Sequence, residues 1–249
     1  GIIGSAKVGL SFSMMLPEGV GGLIMASVLA FTAFFGFQVV TEMGVQVDPK
    51  RDDIVVDGRK DGARPKRRYV KLYKPRNYLS NLSDDRGPPS LGDLLPGSSG
   101  LYPAGRLDFD SEGLLLLTND GELTQRLTHP RYEHSKEYLV LVEGTPRAVA
   151  LDTLRDGVVL EDGRTAPAEI ERVRTTPWGR APHGREWFRF VLHEGRKRQI
   201  RRMCEAIGHP VRRLVRVRIG PIELGDLPPG RYRSLTQPEL ERLRAEVGL

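Results

Sequence analysis

The stretch PAGRLDFDSEGLLLLTNDGEL, residues 103 to 123, sets three carboxylates at alternate positions directly before Gly113 and four consecutive leucines. A run such as Leu114 to Leu117 belongs in a core, so Asp108, Asp110 and Glu112 stand where the chain enters it. Counted from Asp108, residues 108, 110, 112 and 113 match positions 1, 3, 5 and 6 of a calcium loop. Position 12, which must supply a bidentate carboxylate, is Asn119, and position 9 is Leu116, so the loop lacks its main ligand. An aspartyl-phosphate phosphatase places its acid pair directly after an apolar strand, whereas Pro103, Ala104, Gly105 and Arg106 come before Asp108. Asp110, Ser111 and Glu112 read as residues that start and cap a helix or turn. Asp108, two residues after Arg106 in a Gly-led turn, is placed for exposure at a cleft.

Charge is unevenly distributed in this chain of 249 residues with formal charge +6. Arg59 to Arg76 holds nine Lys or Arg against Asp61, and Arg196 to Arg218 holds nine against Glu205. Between them, Leu107 to Gln125 holds five acids and no base. Two basic clusters around an acidic segment predict a polyanionic partner, nucleic acid before any other. The single cysteine, Cys204, excludes an internal disulfide and thiolate metal clusters, and it fits a reducing, cytoplasmic setting. The five histidines never fall in a metal-binding spacing.

Periodicity predicts strands in RYVKLYKPRNYL, with Tyr69, Lys71 and Tyr73 opposite Val70, Leu72 and Lys74, and in EHSKEYLVLVEG, with Tyr138, Val140 and Val142 opposite Leu139 and Leu141. REWFRFVLHEG and LVRVRIG read as further strands, the latter with Leu214, Arg216 and Arg218 on one face. RAVALDTLRDGV has helical spacing. In RQIRRMCEAIG, Ile200, Met203, Cys204 and Ile207 form one apolar helix face that ends at Gly208, which makes Cys204 inert core. SDDRGPPSLGDLLPGSSG has the composition of a surface loop. Strands dominate with helices between them, which predicts an α+β fold on a mixed or antiparallel sheet.

Residues 19 to 41 are uncharged and have about the length, roughly 20 apolar residues, of a membrane-spanning helix. Gly and Pro interrupt the approach to this stretch, Lys7 is its only basic flank, and a basic, polar chain follows it, all of which argue against a membrane anchor.

GRLDFDSEGLLLLTNDGEL resembles the first signature of the RsuA-type ribosomal RNA pseudouridine synthases, in which G-R-L-D is followed after a short gap by G-L-L-L-x-T-x-D-G. SKEYLVLVEG resembles the second signature and EGRKRQIRRMCEAIGHPVRRLVRVRIGPIEL the third, so the resemblance covers about residues 67 to 245 in the family's order. It is nearest the large-subunit, RluB-like branch. The resemblance implies isomerisation of a uridine to pseudouridine, a change without redox or net hydrolysis that needs no cofactor and no metal. It implies three catalytic residues: Asp108 as nucleophile or as base on the sugar, Tyr138 stacked on the target uracil, and Arg201 as the cation that holds the carboxylate ionised. Leu214 would line the pocket, and Arg106 would fill the gap left by the extruded nucleotide. Lys66, Arg67, Arg68 and Lys71 on one side, and Arg196, Lys197, Arg198, Arg202 and Arg213 on the other, would contact phosphates. The implied partner is ribosomal RNA or a ribosomal precursor particle, and a monomer is expected.

Four parts follow from this reading: an atypical apolar segment over 1–38, a remnant of an alpha-L type RNA-binding module over 39–60, a linker over 61–66, and a catalytic domain over 67–249. VVTEMGVQVDPKRDDIVVDGR resembles only the last part of that module. The apolar segment is read as non-native, from a frameshift, a wrong start or a fusion upstream of about Gln38. The competing reading is a non-catalytic RNA-binding or ribosome-assembly protein on the same fold, which would have no need of Asp108.

Overall fold

The computed structural model describes residues 66–82 and 87–249, together with two short strands, Val55–Val56 (β1) and Arg59–Lys60 (β2), that pair antiparallel. The chain divides into two compact units, Gly1–Lys66 and Arg67–Leu249. The apolar stretch over 19–41 and most of the segment read as an RNA-binding remnant lie outside the described residues. Among the described residues no helix is long and apolar enough to cross a membrane.

The second unit runs β3 (Tyr69–Lys74), α1 (Leu91–Leu94), β4 (Tyr102–Pro103), β5 (Glu112–Thr118), α2 (Gly121–Thr128), β6 (Lys136–Glu143), α3 (Ala148–Arg155), β7 (Val159–Leu160), β8 (Gly163–Arg164), β9 (Glu169–Val173), β10 (Arg185–Leu192), α4 (Gln199–Ala206), β11 (Val211–Ile219), β12 (Ile222–Glu223), β13 (Tyr232–Ser234) and α5 (Gln237–Glu246). One sheet has the order β13-β3-β5-β11-β6-β10-β9, with β4 added beside β5 and β12 beside β11. Its pairings are antiparallel except β5 with β11, which is parallel. The fold is α+β on a mixed sheet.

Helices α3 and α4 cover the sheet with the face their periodicity predicts. Ile200, Met203 and Cys204 of α4 and Leu151 and Leu154 of α3 pack with Val140, Val142, Phe188, Phe190 and Leu214. On the second core face, Tyr73, Leu114, Leu116 and Val215 meet Leu123 and Leu127 of α2 and Leu243 of α5. Val70, Leu72, Leu115 and Leu117 pack with Leu91 and Leu95 around α1. β5 is therefore buried on both sides, and all four of its leucines are core.

Two local readings are corrected. The Gly- and Pro-rich stretch expected to be only loop contains α1, started by a capping box in which Ser90 and Asp93 each bond the other's backbone N–H. Leu91 and Leu95 drive that turn inward. On β11 the register slips between Arg216 and Arg218, so Arg216 lies opposite Tyr138 and Arg218 opposite Glu137. That irregularity sends the two arginines to opposite faces, because adjacent residues of β6 point opposite ways.

Gly113 lies at a close approach of β5 to β11. A Cβ there would stand 2.3 Å from the Arg216 carbonyl oxygen and 2.6 Å from its nitrogen, and the residue sits at φ +111°. Only glycine lets β5 enter the sheet at this approach to β11. Gly113→Ala is expected to lower unfolding stability by about 3 kcal/mol or more, read from urea denaturation.

Candidate active site

Strand register brings together side chains that are far apart in the chain. Gly113 pairs with Lys74 on β3 and with Arg216 on β11; Arg216 pairs with Tyr138 on β6, and Tyr138 with Phe190 on β10. These residues form one row across five strands on one face of the sheet. Leu214, paired with Val140, occupies the next row and is buried beside Tyr138 in the core.

Residues 106 to 111, which carry Asp108, are pinned to this row. Lys74 is fully buried, and its Nζ donates to the carbonyl oxygens of Ser111 at 2.8 Å, Pro75 at 3.0 Å and Asp108 at 3.1 Å. Arg216 is buried too, its Nε donating to the Leu114 carbonyl at 2.8 Å and its Nη1 to the Arg106 carbonyl at 3.3 Å. Ser80 Oγ donates to the Leu107 carbonyl at 2.6 Å, and the backbone N–H of Asn77 to that of Phe109 at 2.7 Å. Burial pushes the Lys74 ammonium from its ordinary 10.5 down to about 8, against the opposing pull of Asp108 and Asp110.

From the helical side, Arg198 forks onto both Asp110 carboxylate oxygens at 2.9 and 3.0 Å. Arg198 holds φ +52° at the start of α4, an unusual conformation for a side-chain-bearing residue, and this marks a constrained position. Arg201 Nη2 donates to the Asp110 carbonyl at 2.9 Å and its Nε lies 3.2 Å from the Asp110 carboxylate. Burial favours protonation of Asp110, but Arg198 and Arg201 outweigh it and hold the carboxyl below its usual range. Arg201, expected at Asp108, thus spends its direct contacts on Asp110, whose charge completes a two-arginine clamp. Among the described residues no side chain bonds the Asp108 carboxylate, and none bonds the Tyr138 hydroxyl.

Several expected RNA contacts are occupied elsewhere. Lys71 points inward, its Nζ donating to the Glu223 carbonyl at 2.8 Å and pairing with Glu239 at 3.2 Å, because β3 is buried on both faces. Arg213 faces the other side of the sheet, forked onto buried Glu112 and stacked 4.4 Å over Trp178. Glu112, read as a cap, instead takes these bonds and one from Tyr73 as the first residue of β5. Arg196 bonds Glu194 and the carbonyls of the β7–β8 hairpin; Arg202 forks onto Asp162. Arg67 pairs with Asp120, and Arg68 Nη1 donates to the Gly97 carbonyl. Lys66, Arg106 and Lys197 are exposed, and among the described residues no carboxylate pairs with Arg106, Lys197 or the neighbouring Arg76. Sequence reasoning missed Lys74, Arg76 and Arg216; a charge inside an apolar strand was the available signal for the first and third. Cys204 is buried, and burial pushes its thiol up to about 12.

Lys74 binds its proton less tightly folded than unfolded, so unfolding takes up protons between pH 8 and 10.5. The wild type is expected to gain stability relative to Lys74→Met as pH rises through that window, by up to about 3 kcal/mol, read from denaturation at each pH. Arg213→Ala should cost about 2 kcal/mol in the same assay, because it strands the Glu112 charge in the interior.

The chain is similar to known proteins over most of its length. A family model described as RNA pseudouridylate synthase matches residues 68–206. The chain is 43% identical over 209 residues to ribosomal large subunit pseudouridine synthase B of Bacillus subtilis, covering 84% of this chain and 83% of that protein. It is 44% identical over 177 residues to ribosomal large subunit pseudouridine synthase E of Vibrio parahaemolyticus, covering 68% and 74%. A crystal structure of a pseudouridylate synthase superposes with TM-score 0.63 at 31% identity, covering 80% of this chain and 83% of that one. The chain belongs to the RNA pseudouridine synthases, in their RsuA- and RluB-like branch, and is by family an isomerase.

Proposed function

We propose that this protein converts one uridine of large-subunit ribosomal RNA to pseudouridine, without a cofactor, in the cytoplasm and as a monomer. The observation that carries the reading is the Asp108 carboxylate: its backbone is bonded through Lys74, while its side chain is left without a partner among the described residues. The names of the relatives from Bacillus subtilis and Vibrio parahaemolyticus support the large-subunit target.

In the reaction, Asp108 acts on the ribose or on the uracil ring as the bond between N1 and C1′ breaks. The uracil turns, C5 bonds to C1′, the C5 proton leaves and N1 gains one, so atoms balance without oxidant or water. Tyr138 stacks on the uracil and its hydroxyl assists proton movement. Leu214 lines the pocket, and Arg106 fills the gap left by extrusion, which costs a few kcal/mol of unstacking. Arg198 and Arg201 hold the rim of the turn through Asp110. Exposed Lys66, Arg106 and Lys197, with Arg67 and Arg68, offset the cost of extrusion through phosphate contacts.

The test is to incubate wild type and Asp108→Asn with in vitro transcribed large-subunit RNA and map pseudouridine chemically. The expected result is one modified site with wild type, none with Asp108→Asn, and RNA affinity retained within about threefold, since the exchange is nearly isosteric. RNA binding without modification by either protein, on this RNA and on small-subunit RNA, would favour the non-catalytic RNA-binding protein instead.

A further inference from the structure

Arg216 belongs to none of the roles above. It is 3% exposed, its Nε and Nη1 tie down the carbonyls of Leu114 and Arg106, and its Nη2 is buried without a hydrogen-bond partner. Leaving a buried guanidinium nitrogen unpaired destabilises a protein, so a residue kept in that state calls for a reason beyond packing. The charge around it makes the arrangement more costly still. Lys74 and Lys136 are both held below their ordinary range by burial, and the Arg216 charge pushes each further down. An apolar residue would fill the space without that repulsion, but it would release the two ends of the segment that carries Asp108.

We propose that Arg216 is a positioning residue for Asp108: its two tethers fix the ends of the 106–114 segment, and so set where the carboxylate stands above the row formed by Lys74, Gly113 and Tyr138. The inference rests on the synthase reading for its kinetic consequence, but its structural half stands without it. Lys74 holds the middle of the segment through the Asp108 and Ser111 carbonyls, while Arg216 is the described side chain that reaches the Arg106 and Leu114 carbonyls from the sheet. Because Arg216 occupies the position that meets Gly113, the glycine's missing side chain and the arginine's tethers serve one geometry: the exit of the turn into β5.

The test compares wild type, Arg216→Gln, Arg216→Lys and Leu243→Ala, the last a core truncation between α5 and the sheet that matches the loss of stability away from the site. Pseudouridine formation is measured on the transcribed large-subunit RNA, and backbone hydrogen exchange is followed over residues 106–111. For Arg216→Gln, kcat is expected to fall about 100-fold with KM within about threefold, the scale of a misplaced catalytic group. Arg216→Lys should recover part of that loss, and Leu243→Ala should keep kcat while its Tm falls. Exchange at 106–111 should rise in Arg216→Gln and stay at the wild-type level in Leu243→Ala. Unchanged exchange in Arg216→Gln, or kcat losses that simply follow Tm across all variants, would overturn the inference. Wild type that forms no pseudouridine would overturn the synthase reading alone, since the exchange experiment needs no turnover.

Discussion

The parallel contact between β5 and β11 is the constraint on which the site depends. It is short, Glu112 with Val215 and Gly113 with Arg216, and it requires a residue without a side chain at 113. On one face of this contact Glu112 and Arg213 close an ion pair, with Tyr73 as third partner. On the other, Lys74 and Arg216 are buried together. Two cations in an apolar sheet would be costly if bare; here Lys74 donates to the carbonyls of Pro75, Asp108 and Ser111, and Arg216 to those of Leu114 and Arg106, with only its Nη2 left unbonded. The site's rigidity and the sheet's closure thus share their hydrogen bonds.

That sharing explains the division of labour among the acids. Asp110 neutralises Arg198 and Arg201 and ties α4 to the turn. Glu112 neutralises Arg213 within the sheet. Asp108, between Arg106 and the Asp110 clamp, is held by its main chain while no side chain among the described residues bonds its carboxylate. On the proposed reading, a catalytic carboxylate fixed through its backbone loses little freedom when substrate arrives, which is the condition for high effective molarity.

The basic clusters show how far charge counting reaches. Much of the positive charge near α4 and β11 is committed to Asp110, Glu112, Glu137 and Asp162, so it builds the fold before it can attract RNA. What remains unpaired among the described residues near the turn, Arg76, Arg106 and Lys197, is a smaller set, yet it lies beside the Asp108 turn. On the proposed reading, electrostatic attraction then acts where the nucleotide is extruded.

By itself the sequence determined the main strands, helices α3 and α4, and the family. The alternation in residues 136 to 143, the apolar face of Ile200, Met203 and Cys204, and the leucine run at 114 to 117 are local patterns, and local periodicity sets which face is buried. The order of the three signatures was equally legible, and with it the family. Partnership was decided only by the tertiary structure. Nothing near position 213 says that its guanidinium will meet Glu112 rather than phosphate, or that Lys71 will turn inward to Glu239. Nor could spacing foresee that a register slip after Arg216 would separate it from Arg218 and set it under the Asp108 turn. Those outcomes depend on which strands become neighbours, and strand neighbours distant in sequence are chosen by the packing of the whole sheet.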